Sequence, residues 1–194
     1  MVNRCRCCFT IVLLLSVCVM GGCGQPPAAR NADQTAYEEI GLAFVDEKNN
    51  EIYCIGDTLE DLRKKTKHKL VEHNDTEMSF HGLEFKIMDQ KVESMMLYAS
   101  ENQDAYWRTV SGFTLLSSPE KMKEAYGQPL GTGYGQDSYY IYVFQKQNGG
   151  FTRMPSFEEA EAAPQADLYH LHILFDSGQM PFGIVMFSNK AKTD

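Results

Sequence analysis

The sequence predicts an α+β fold in which a short helix packs on an antiparallel sheet, with the unit of strand, helix and three strands occurring twice in tandem. Two capping-box signatures, Asp57 with Glu60 and Ser117 with Glu120, sit 60 residues apart, each just ahead of a helical stretch. At the same offset Ile55, Leu59 and Leu62 fall opposite Leu115, Pro119 and Met122. Most of the remaining chain alternates as strands do and ends each half in a hairpin. The units expected are 36–104 and 105–194, the second carrying an insert at 146–167. One undivided α+β domain is the alternative.

Element by element, Leu42 to Val45 and Glu51 to Ile55 are strand-like, with Lys48-Asn49-Asn50 as the turn. Asp57 is expected to cap a helix from Leu59 to Leu70. Arg63, Lys64, Lys65, Lys67 and Lys69 lie toward its C-terminal end, where the helix dipole favours cations; the run reads as a solvated face. Strands follow at Glu77 to Phe80, Leu83 to Met88 and Val92 to Tyr98, the last two joined at Asp89-Gln90-Lys91. The second unit opens at Tyr106 with a strand from Trp107 to Leu115. A helix from Pro119 to Tyr126 then ends at Gly127, with Pro129 blocking continuation. Strands return at Ser138 to Gln145, Leu168 to Phe175 and Phe182 to Ser188, with Asp176-Ser177-Gly178-Gln179 turning the last hairpin.

The N-terminus reads as an export signal over 1–22. Arg4 and Arg6 precede an apolar run from Phe9 to Met20, 12 residues long, whereas a spanning helix needs about 20. Met20-Gly21-Gly22-Cys23 resembles the lipobox of bacterial lipoproteins. That resemblance implies diacylglycerol on Cys23 and anchoring to the extracytoplasmic face of a membrane, the outer one where the host has two. An ordinary secretory signal is the alternative. Residues 23–35, rich in Pro and Ala, read as a flexible tether. Ile55-Gly56-Asp57-Thr58, Tyr126-Gly127-Gln128-Pro129 and the trailing hairpins resemble the SmpA/OmlA lipoproteins and the β-lactamase inhibitory protein (BLIP) in fold. The resemblance covers roughly residues 42–190 and implies a binding module. Two features depart from the pattern: Leu116-Ser117-Ser118 replaces the second Gly-Asp-Thr, and Asn148 to Asp167 is inserted. Inhibition of a β-lactamase is not implied, because no inhibitory residue matches.

Composition narrows the function. The chain carries 18 basic and 26 acidic side chains, a formal charge of −8. Removing the signal takes away two of those cations and no acid, leaving −10. This argues against nucleic acid and against electrostatic docking on anionic lipid. Cys5, Cys7, Cys8 and Cys18 lie in the signal and Cys23 at its end. Cys54 then remains alone in the folded part, so no internal disulfide is expected.

Motifs with chemistry are few. His170-Leu171-His172 puts two imidazoles on one strand face, but a zinc site needs three or four ligands, so no metal or cofactor is expected. Gly131-Thr132-Gly133-Tyr134-Gly135 precedes a strand, whereas a phosphate loop needs a helix there. Glu158, Glu159 and Glu161 follow a third capping signature at Ser156 and read as helix-start carboxylates. No catalytic residue is expected. Tyr140, Tyr142 and Phe144 alternate with Tyr139, Ile141 and Val143. Rings in that pattern form either a recognition face or a second core. The expected partner surface carries Tyr140, Tyr142, His170 and His172. The expected function is thus a lipid-anchored envelope protein that binds a protein or small ligand without catalysis. A cell-surface hydrolase or metal-dependent enzyme, and a structural spacer, are the alternatives.

Overall fold

Alternating burial along the strands sorts the chain onto two faces of one large sheet. The computed structural model describes residues 32–99, 107–133, 138–177 and 179–192. The export segment, Cys23, most of the tether, the unit boundary at 104–105 with Tyr106, Tyr134 and Gly135, and Gly178 lie outside them.

The first half contributes α1 (Ala32–Glu39), β1 (Ala43–Asp46), β2 (Glu51–Cys54), α2 (Leu59–Lys65), β3 (Val71–Glu72), β4 (Glu77–Phe80), β5 (Leu83–Met88) and β6 (Lys91–Tyr98). The second contributes β7 (Trp107–Thr109), α3 (Pro119–Tyr126), β8 (Gly131–Gly133), β9 (Ser138–Gln147), β10 (Gly150–Arg153), α4 (Phe157–Ala162), β11 (Leu168–Phe175) and β12 (Pro181–Ser188). Nine strands form an antiparallel sheet ordered β10-β9-β11-β12-β6-β5-β4-β3, with β8 also paired to β9. The last strand of each half meets the other at the centre, Ile184 opposite Leu97 and Met186 opposite Met95. A small sheet ordered β2-β1-β7 joins a hairpin of the first half to the opening strand of the second. The fold is α+β, helices packed on antiparallel sheet.

One face of the large sheet buries Phe85, Met95, Leu97, Leu171, Ile173 and Met186 together with Phe44 and Tyr53 of the small sheet, Leu62 of α2 and Met122 of α3. Full burial of one such side chain is worth roughly 1.5–3 kcal/mol. Because this single cluster draws on both halves, neither half retains its core without the other. Trp107 locks the arrangement: its indole Nε1 donates to the His81 carbonyl at 3.0 Å, and its ring meets Tyr53 at 5.5 Å.

Both helix caps sit one residue beyond the expected position. Thr58, not Asp57, caps α2 and accepts the Asp61 N–H at 3.1 Å. Ser118, not Ser117, caps α3 and accepts the Lys121 N–H. The two caps share nearly the same backbone, φ −73° with ψ 154° and 157°. Asp57 is occupied elsewhere, its Oδ2 accepting from the Cys54 N–H at 2.9 Å and from Lys65 Nζ at 2.6 Å. At Ser156 the expected cap is present, with the Glu159 N–H at 3.1 Å.

Three other expectations change. Helix α2 stops at Lys65 rather than Leu70, because Lys67 and His68 take left-handed backbone (φ 51° and 59°). The strand expected from Trp107 to Leu115 ends at Thr109, where the chain turns back and Thr109 Oγ1 accepts the Phe113 N–H at 3.1 Å. The tether ends earlier, since α1 begins at Ala32 and buries Tyr37 against Phe151 and Tyr169. The insert at 146–167 is built into the fold: β10 forms a sheet edge, and α4 packs Ala160 over Val143 and Leu168.

Candidate functional site

The register between β9 and β11 decides where the expected surface residues go. Tyr142 lies opposite Leu171 and Tyr140 opposite Ile173, whereas Ile141 faces His172 and Val143 faces His170. Alternation therefore puts the two tyrosines on the core face and the two histidines on the outer face. The four residues do not share a surface, which corrects the sequence expectation.

Tyr142 belongs to the core. It is 0% exposed, and its Oη donates to the Gly127 carbonyl at 3.1 Å. Burial pushes its phenol pKa up. Tyr140 is half-buried, edge-on to Phe175 at 4.8 Å and beneath Lys123 Nζ at 5.3 Å. On the other face His170 is 7% exposed and stacks on Phe187 at 4.8 Å, with Nε2 3.3 Å from Asn189 Oδ1. His172 meets the same Phe187 edge-on at 4.9 Å. Packing about a phenyl ring accounts for both imidazoles. Among the described residues no group of three or more His, Cys, Asp or Glu side chains could hold a metal ion.

Among the described residues, α4 covers the outer face of the large sheet at the β9–β11 side. Across β6, β12, β11 and β9 runs a row of Tyr98, Gly183, Leu174 and Tyr139, each opposite the next. Tyr98 and Tyr139 at its ends are both 38% exposed. Gly183 lets the row close up: a Cβ there would sit 3.0 Å from side-chain carbons of both Leu174 and Tyr98. The neighbouring row holds Met96, Val185 and His172, all half-buried. Ser79, Glu84 and Lys86 continue the same face to a polar margin on β4 and β5. The face thus carries apolar side chains with a tyrosine at either end of one row and a polar margin on the β4–β5 side.

A second concavity, about 570 Å³, opens on the core side where the strands of the large sheet end against α2. Lys64 and Lys65 line it from α2, Lys91 from the start of β6, Lys146 from the end of β9, and Lys190 from the segment after β12. The buried Cys54, Glu93 and Ser188 lie at its floor, the Ser188 hydroxyl donating to the Glu93 carboxylate. Lys65 is held by Asp57, while Lys64 pairs with Glu60 at 2.7 Å in solvent. Lys146 lies over the Tyr37 ring at 5.7 Å.

No protein-family model, curated protein or solved structure matches the chain. Among the described residues no helix is long and apolar enough to cross a membrane. Sequence reasoning missed Tyr98, Tyr139 and Leu174, and it took Lys65, held by Asp57, for part of a solvated helix face. The signal for the row was the alternation itself: Tyr139 is out of phase with Tyr140 and Tyr142. Only the register of four strands brings it into line with Tyr98.

Proposed function

We infer that the protein is a lipid-anchored binding module of the cell envelope, without catalytic function, that engages a protein partner on the outer face of its large sheet. The observation that carries this reading is the row from Tyr98 through Gly183 and Leu174 to Tyr139, exposed aromatic rings at both ends of a broad sheet surface. Aromatic side chains supply large contact area with few rotors and dominate binding energy where they occur. Three strand spacings separate the two tyrosines, roughly 14 Å.

Anchoring rests on Met20-Gly21-Gly22-Cys23 and the short apolar run before it. Two acyl chains at Cys23 would hold the domain at the extracytoplasmic membrane surface, the outer membrane in a host that has two, where one chain would bind only reversibly. A charge of −8 is consistent with a protein partner and unfavourable for nucleic acid. The tandem-repeat reading, with its likeness to BLIP-type folds, draws support from three places. Thr58 and Ser118 cap their helices with matching backbone, Leu62 and Met122 are both fully buried at the 60-residue offset, and the final strands β6 and β12 pair at the sheet centre.

The test is affinity capture from envelope extracts by the full chain and by a Tyr98→Ser/Tyr139→Ser double variant. Both side chains are more than a third exposed, so the variant is expected to fold normally. The reading predicts a specific partner retained by the wild type and lost by the variant. Equal retention by both would remove the outer face from consideration.

A further inference from the structure

We propose that the lysine-lined cleft between α2 and the ends of β6, β9 and β12 binds a small phosphate-bearing anion. This site is on the core side of the sheet and independent of the outer-face partner.

Charge is the first ground. The chain is acidic, −8 overall, yet five of its lysines converge on one concavity. Among the described residues three carboxylates also line it, and each accepts at least one hydrogen bond. Asp57 takes the Cys54 N–H and Lys65, Asp61 takes the Thr58 hydroxyl at 2.7 Å, and Glu93 takes the Ser188 hydroxyl. The described lining holds five lysines against three carboxylates, with Lys65 paired to Asp57 and Lys64 to Glu60 beside it, in a protein of the opposite overall balance. Low-dielectric walls focus such a field into the cleft and raise the local concentration of anions.

The kind of cation is the second ground. Among the described residues no arginine lines the cleft. Lysine ammonium groups act as point charges that approach a tetrahedral phosphate from several directions. Lys91, Lys146 and Lys190 come from three different elements, which is the arrangement such an anion requires.

Size and shape are the third. About 570 Å³ lies within the roughly 300–1,000 Å³ of small-molecule sites. The Tyr37 and Tyr169 rings, edge-to-face at 5.4 Å, form an apolar wall for the organic part of the ligand. Gly56, also in the lining, leaves backbone uncovered beside Tyr37.

The experiment titrates the full-length chain in neutral detergent with pyrophosphate, followed by calorimetry. Saturable binding at one site is expected, weakening with salt and falling by at least about tenfold in Lys91→Gln/Lys190→Gln, as loss of charge partners does elsewhere. Lys121→Gln, an exposed substitution on α3 away from the cleft, should change nothing. Lysine acetylation of the wild-type chain, read by mass spectrometry, provides a check that needs no variant. Pyrophosphate should protect Lys91, Lys146 and Lys190 and leave Lys121 reactive. Glycerol phosphate and phosphatidylglycerol in mixed micelles then serve as competitors. Competition by the former alone assigns a soluble ligand, and competition by both a lipid headgroup. Unsaturable binding, undiminished affinity in the double variant, or equal protection of Lys121 would overturn the proposal.

Discussion

The phenol of Tyr142, fully buried on the core face of β9, donates to the main-chain carbonyl of Gly127, the residue that ends α3, at 3.1 Å. A sheet side chain thereby satisfies a helix terminus, whose last carbonyls lack intrahelical partners. Its ring also lies 5.5 Å from that of Tyr126, whose hydroxyl reaches the Gly41 carbonyl at 3.2 Å. Helix α3, the β1 approach and the large sheet are tied through these two rings.

Tyr142→Ala is therefore expected to destabilise the protein by about 3–5 kcal/mol, the range for buried aromatic truncation. Tyr142→Phe, which keeps the ring and loses the hydrogen bond, should cost about 1 kcal/mol. Urea unfolding of the full chain distinguishes them. A Tyr142→Ala loss below that of Tyr142→Phe would show that the ring is not packed as described.

Alkaline pH should destabilise the fold through the same residues. Burial raises the phenol pKa of Tyr53, Tyr126 and Tyr142 above the ordinary 10.0, and for Tyr53 the nearby Asp46, Glu51 and Asp57 add to the effect. The folded state keeps these protons when the unfolded chain has released them. Their contribution is complete below pH 10 and is lost as pH rises through the folded values. Each such group steepens the fall by up to about 1.4 kcal/mol per pH unit. Stability measured between neutrality and strong alkali should bend downward past pH 10, less so in Tyr142→Phe. A flat profile would contradict it.

Much of the architecture is legible in the sequence. The helix Pro119–Tyr126 and the strands Glu77–Phe80, Leu83–Met88 and Leu168–Phe175 lie where periodicity places them, because strong alternation and caps are local signals. The α2 terminus is less legible, since successive left-handed residues at Lys67 and His68 override a favourable propensity. The outer-face row is not legible at all within one strand. Alternation shows that Tyr139 and Tyr140 point oppositely, but not which side the core takes. That choice is made by Leu62, Met122 and Phe44, which reach the Tyr142 face from distant parts of the chain. The cleft is likewise a tertiary product: Lys91, Lys146 and Lys190 share no sequence neighbourhood.

Membrane attachment should depend on Cys23 alone among the N-terminal cysteines. Cys23→Ala is expected to leave the protein unprocessed or released from the membrane fraction, while Cys18→Ala leaves attachment intact. Intact-mass spectrometry of the wild type should find a diacylated mature Cys23. An unmodified Cys23 in membrane-bound protein would refute the lipoprotein assignment.

The most direct test of the central claim places a photo-crosslinker at single positions of the full chain in its native envelope. Positions 98 and 139 sample the two ends of the outer-face row; positions 60 and 121 sample exposed residues of α2 and α3 on the opposite side. The account predicts one protein adduct, of the same mass from 98 and 139, with none from 60 or 121. Adducts from the helix positions alone, or silence at both 98 and 139, would contradict it.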